Sequence, residues 1–183
     1  MLLTNTKSNA KREFYSMNLF LLRHGIAVER GLPGYEDDSQ RPLTSKGVAR
    51  IHRIAQVAKR LGLKFDLILS SPFLRAQQTA QTVAAFYKME DRLRLSENLS
   101  PGASPAELIG EIHETYADVL SILLVGHEPY LSTLAGMLLA GDEKVALALK
   151  KGGLCKFSID ELRYDRCATL DWLMTPKLML NLD

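Results

Sequence analysis

At 183 residues the chain has the length of one ordinary domain and can bury a core without disulfide or metal support. Hydrophobic residues make up 46% and charged residues 24%, and the net charge is only +2, which argues against nucleic acid or an anionic membrane as partner. No apolar run approaches the roughly 18 residues that a spanning helix needs. Residues 4–12 are too polar for a signal peptide, and two cysteines make no disulfide framework. These features imply a cytoplasmic protein: residues 1–16 a disordered extension, Met17 an alternative start, and 17–183 a single domain.

Residues 18–22 form a short apolar run of strand length. The helical period over 44–61 places Val48, Ile51, Ile54, Ala55, Ala58 and Leu61 on one face, with Thr44 as N-cap and Gly62 as stop. A second strand is expected at 65–69. Ser71-Pro72 then predicts a helix start, with Ser71 as N-cap and Ala76, Ala80, Val83 and Tyr87 facing inward. Ser104-Pro105-Ala106-Glu107 has the spacing of a capping box and predicts a helix burying Leu108, Ile112 and Val119. A strand at 122–125, a helix at 129–139 ending near Gly141, and a hairpin of 154–159 with 168–174 complete the chain. The alternation implies an α/β fold: a three-layer α/β/α sandwich with a mainly parallel central sheet and a C-terminal β-hairpin. Cys155 and Cys167 flank the hairpin turn and are expected as small buried residues on neighbouring strands, unbridged in a reducing compartment.

Each of the three main strands runs into a polar segment: Arg23-His24-Gly25, Ser70-Ser71-Pro72-Phe73-Leu74-Arg75, and Gly126-His127-Glu128-Pro129. Parallel sheets bind ligands at the carboxyl ends of their strands, so these segments are expected to converge. The set Arg23, His24, Arg75 and His127, joined by Arg41, lacks the carboxylates and thiolates of a metal site but suits an oxyanion. The guanidinium fork matches phosphate, and Arg75 falls in a first helical turn. Positive neighbours keep His24 neutral, hence nucleophilic toward phosphorus. Gly25 beside it is expected to let the backbone approach the substrate.

These residues carry a family resemblance. Leu22-Arg23-His24-Gly25 resembles the Arg-His-Gly signature of the histidine phosphatase superfamily. Residues 70–80 resemble its second arginine segment, and Gly126-His127-Glu128-Pro129 its second histidine segment. Arg41-Pro42-Leu43-Thr44 with Gly47 resembles a stretch typical of the small SixA-type phosphohistidine phosphatases. The similarity spans about residues 17–175, with the motifs in family order. It implies a metal-independent, cofactor-free hydrolase with His24 as phosphorylated nucleophile. Arg23, Arg75 and Arg41 would bind the phosphoryl group, and His127 would donate to it as an imidazolium. Phosphate, vanadate and tungstate are the implied ligands.

The leaving group narrows the substrate. An alkoxide needs a proton from a general acid, whereas imidazole, whose conjugate acid has a pKa near 6.5, departs readily. Here the segment between the second arginine and second histidine motifs is short, and Glu97 is its one candidate acid. The asparagine that usually follows the first signature in mutase and ester branches is absent from Ile26-Ala27-Val28-Glu29. Both points favour phosphohistidine on a signalling protein, such as a His-containing phosphotransfer domain, over a small phosphate ester, and the presence of His24 with both core arginines argues against a silent phosphate-binding module. Taken alone, Glu128 reads as a residue complementing a helix dipole, and Lys150-Lys151 as a solvated pair before a Gly-Gly turn.

Overall fold

The computed structural model describes residues 16–182, so residues 1–15 of the expected extension lie outside the described residues. Six strands form one sheet: β1 (Met17–Arg23), β2 (Leu67–Ser70), β3 (Leu93–Leu95), β4 (Ser121–Gly126), β5 (Leu154–Ile159) and β6 (Ala168–Met174). Their order is β3-β2-β4-β1-β5-β6. The first four run parallel, and β5 and β6 add an antiparallel hairpin against β1.

Period-2 alternation sends neighbouring side chains to opposite faces and so builds two cores. Leu19, Leu21, Leu69, Ile122 and Leu124 bury one face against α3 (Pro105–Thr115) and α4 (Tyr130–Ala140). Phe20, Leu22, Ile68, Leu123 and Val125 bury the other against α1 (Ser45–Arg60) and α2 (Leu74–Tyr87), joined by Met179 of α5 (Pro176–Asn181). The expected three-layer α/β/α sandwich, mainly parallel with a C-terminal hairpin, is the observed one.

Several local expectations need correction. Thr44 caps α1 through Gly47 N–H, and Gly62 ends the helix at positive φ, but Val48 and Leu61 are exposed rather than part of the stripe. Helix α2 begins at Leu74, three residues beyond Ser71. Ser71 is engaged elsewhere: its N–H donates to Val125 O, prolonging the sheet, and its hydroxyl contacts His127. Ser104 makes no side-chain cap, and α3 ends at Thr115, leaving Val119 partly buried beyond it. Strand β3 and helix α5 were not expected; three or six residues are too short to show a period. Cys155 is buried opposite Leu173, not opposite the half-buried Cys167, and both thiols are free.

Candidate active site

The central strands β2, β4 and β1 end side by side, so the segments that leave them meet one another. His24 N–H donates to Gly126 O at 3.0 Å, which keeps β1 and β4 in register past their last residues. The rings of His24 and His127 then lie 5.1 Å apart, centroid to centroid. Both are buried, as is Arg75. The Phe73 ring bridges them, 5.3 Å from the His127 ring and 5.1 Å from the Arg75 guanidinium. His24 and Arg75 are also linked through Thr79: Gly25 N–H donates to its hydroxyl at 3.0 Å, and that hydroxyl donates to Arg75 O at 2.7 Å. The three separate motifs therefore form one cluster.

His24 Nδ1 lies 2.8 Å from Gly25 O. A carbonyl oxygen can only accept, so the proton sits on Nδ1 and Nε2 keeps a free electron pair. Burial pushes the His24 pKa down to about 3, helped by His127, Arg75 and Arg23, against the raising effect of Gly25 O. The ring is neutral, as its arginine neighbours implied, but desolvation is the larger cause. His127 falls to about 3 as well, through burial first and then Arg75, with Asp38 opposing. The expected imidazolium is therefore not the state of the unliganded site, where His127 is a neutral ring. Its Nε2 lies 2.9 Å from Ser71 Oγ, and its Nδ1 is buried without a partner.

The arginines divide into two groups. Arg75 donates through Nη1 to Asp38 O at 2.6 Å and through Nη2 to Asp38 Oδ2 at 2.9 Å. Arg41 holds Asp38 Oδ1 through Nε and Nη2, both at 2.8 Å, and Arg30 reaches the same oxygen at 2.9 Å. Desolvation opposes ionisation of Asp38, but Arg30, Arg41 and Arg75 together hold its carboxyl well below the usual range. Arg41 Nη1 also donates to Val28 O at 2.6 Å, so every nitrogen of that guanidinium already donates. Asp38 is the site residue that sequence reasoning missed. Its only signal was an acid three residues before Arg41, among Glu36-Asp37-Asp38. Arg23 stands apart in that its Nη1 donates to a carbonyl, Leu149 O, at 2.7 Å; its Nε, like that of Arg75, is buried without a partner.

Two glycines of the motifs have structural reasons. A Cβ on Gly25 would meet Ile51 Cγ1 at 2.8 Å, so its bareness serves the packing of α1. A Cβ on Gly47 would lie 2.1 Å from Ile26 O. The first turn of α1 thus rests directly on the backbone just after His24, and Thr44 N–H donates to the same carbonyl at 2.9 Å.

Glu97 is not brought to the histidines. Ser96 Oγ and Asn98 Nδ2 on either side of it both donate to Glu111 of α3, at 2.5 and 2.9 Å. Glu97 is left exposed, with its carboxylate accepting from Ser100 Oγ at 3.1 Å. The carboxylate nearest the site in sequence is Glu128. It lines a cavity of about 200 Å³ beside His127, with Ala103, Pro105, Tyr130 and Thr133, and accepts from Ser132 Oγ at 2.5 Å. Among the described residues no three His, Cys, Asp or Glu side chains gather as a metal-binding group.

Two buried histidines and arginines at the carboxyl edge of a parallel sheet form a cluster suited to an oxyanion, and comparison with known proteins shows the family. The family model of the histidine phosphatase superfamily (branch 1) matches residues 19–118. An uncharacterized protein of Picosynechococcus is 39% identical over 140 residues, covering 75% of this chain and 82% of its own. Phosphohistidine phosphatase SixA of Escherichia coli is 26% identical over 161 residues, covering 87% of this chain and 94% of its own. A solved structure of the protein histidine phosphatase SixA complexed with tungstate superposes with a TM-score of 0.75 at 26% identity, covering 91% of this chain and all of that one. The chain belongs to the histidine phosphatase superfamily, as its motifs implied, and is a hydrolase of the phosphatase class similar to SixA.

Proposed function

We propose that the chain removes phosphate from phosphohistidine on a protein, through a phospho-His24 intermediate. The observation that carries this reading is the hydrogen bond from His24 Nδ1 to Gly25 O, which puts the proton of a neutral ring on Nδ1 and leaves Nε2 with a free electron pair. In the first step the Nε2 electron pair forms a bond to phosphorus. The N–P bond of the substrate breaks, and its imidazole, protonated on the other nitrogen, leaves neutral with the bonding pair. The positive charge acquired by the His24 ring is stabilised at Nδ1 by Gly25 O. Water then attacks phosphorus and gives a proton to solvent, Nε2 recovers its pair, and phosphate departs. Arg23 and Arg75 stabilise the charge spread over the transferring oxygens. Arg41 acts through Asp38, which its fork already holds. His127 donates from Nδ1 to a phosphoryl oxygen, with the Ser71 hydroxyl donating to Nε2 and so setting that tautomer; an arriving dianion raises its pKa. No cofactor takes part. The leaving imidazole needs no strong acid, which fits a Glu97 turned to solvent. Phosphate, vanadate and tungstate are the ligands expected to occupy the cluster. A cytosolic setting belongs to the same proposal and agrees with two free thiols.

One observation favours a second reading, a small phosphate ester: Glu128 supplies a carboxyl beside His127, where it could protonate an alkoxide. Phosphate release from a histidine-phosphorylated phosphotransfer protein and from an aryl phosphate separates the two. His24→Ala should lower release by on the order of 10³-fold or more. Release from the phosphoprotein that survives Glu128→Gln supports the first reading. Release from the ester alone, lost in Glu128→Gln, supports the second. Tight vanadate binding with release from neither would mark a silent binding module.

A further inference from the structure

The Lys150-Lys151 pair has a place in the fold that a solvated pair does not need. The turn it belongs to is tied to the backbone of the nucleophile: Gly152 N–H donates to Arg23 O at 3.0 Å, and Arg23 N–H donates to Gly153 O at 3.1 Å. Gly152 adopts a φ of 82°, which a residue with a side chain rarely takes. Beside this turn opens a groove of about 410 Å³. Its walls include Arg23, Arg50, Lys150, Lys151 and Lys177, drawn from β1, α1, the turn and α5, and no acidic residue. The chain as a whole carries only +2, so this concentration is local. Among the described residues, none of Arg50, Lys150, Lys151 and Lys177 forms a salt bridge. Arg23 joins the groove to the catalytic cluster, because its charge also lowers the pKa of His24.

We infer that this groove is a docking surface for the phosphoprotein, and that the partner presents an acidic patch beside its phosphohistidine. The inference rests on the phosphohistidine reading above. Arg30, Arg41 and Arg75 already share the Asp38 carboxylate, which offsets one of their three charges and holds their guanidinium groups in place. The groove cations have no such counter-ion, and they supply the attraction felt before contact. Complementary charge raises the encounter rate and selects the partner, and salt weakens both effects. A small phosphorylated imidazole has no surface to lay along the groove and gains little from it.

The test compares kcat/KM on a histidine-phosphorylated phosphotransfer protein with an acidic face and on free phosphohistidine, for wild type and for Arg50→Glu/Lys151→Glu/Lys177→Glu. The expected result is a fall of about tenfold or more on the phosphoprotein, carried by KM, with less than about twofold change on free phosphohistidine. The salt dependence on the phosphoprotein should flatten in parallel. Arg50→Ala/Lys151→Ala/Lys177→Ala, a milder change, should lie between the two, and activity on free phosphohistidine reports that each variant is folded. Equal effects on both substrates, or none on either, overturn the docking surface. Failure of wild type to release phosphate from either substrate overturns the phosphohistidine reading and this partner with it.

Discussion

The two arginine-bearing walls of the site differ in what balances their charge. On one side Asp38 takes hydrogen bonds from Arg30, Arg41 and Arg75, so a single carboxylate fixes the Arg75 fork. On the other, the Arg23 side chain is held among the described residues by a carbonyl, Leu149 O, and lies beside lysines with no acid among them. A bound counter-ion orients a cation and lowers its long-range field; an unbalanced cation attracts from a distance but is free to move. On the proposed reading the first wall serves geometry at phosphorus, and the second, beyond the part Arg23 takes at the phosphoryl group, attracts the protein that carries it.

Three experiments break or sharpen that contrast. Arg75→Ala removes the fork itself, and release should fall by roughly 10²–10³-fold on every substrate, as for other lost oxyanion donors. A loss confined to the phosphoprotein would place Arg75 on the docking side instead. Asp38→Asn keeps the size but removes the charge, which frees Arg75 and Arg41. A fall in kcat of about tenfold with little change in KM is expected, because misplaced groups cost turnover before affinity. A rise in KM alone would show that Asp38 does not position Arg75.

The smallest effect concerns stability against pH. His24 and His127 both titrate near 3 in the folded chain, far below the ordinary histidine value of 6.5. Below about 6.5 the unfolded chain takes up protons that the folded chain refuses, so stability falls as pH drops from about 6.5 toward 3. Asp38, also depressed, adds stability that is complete above the ordinary carboxylate range near 4 and is lost only as pH falls below it. Thermal midpoints measured between pH 8 and 4 should therefore decline below 6.5, and His24→Asn/His127→Asn should flatten that decline. Saturating phosphate should offset it in wild type, because a bound dianion favours the protonated rings. A midpoint that stays level through this range would contradict the burial of the two neutral rings.

Much of this protein could be read from its residues in order. Apolar runs and polar strand ends sufficed for the layered fold and for the meeting of His24, Arg75 and His127, because a parallel sheet aligns its carboxyl edges whatever the loops do. The hairpin of β5 and β6 was legible for the same reason, as two runs of strand length around a polar turn. The features that escaped depended on side chains distant in sequence. Asp38 has no local mark that separates it from Asp37, yet folding brings Arg75 to it across 37 residues. Ser71 reads as a helix cap until His127, 56 residues on, claims its hydroxyl. Glu97 looked like an acid near a motif until Glu111 fixed both of its neighbours and turned it outward. The neutrality of His127 and the gathering of Arg50, Lys151 and Lys177 beside Arg23 likewise exist only in three dimensions. Local pattern sets which elements form and which edge carries chemistry. Charge balance, burial and the partner of each polar atom are decided by tertiary contacts, because electrostatic energy depends on distance and desolvation rather than on order along the chain.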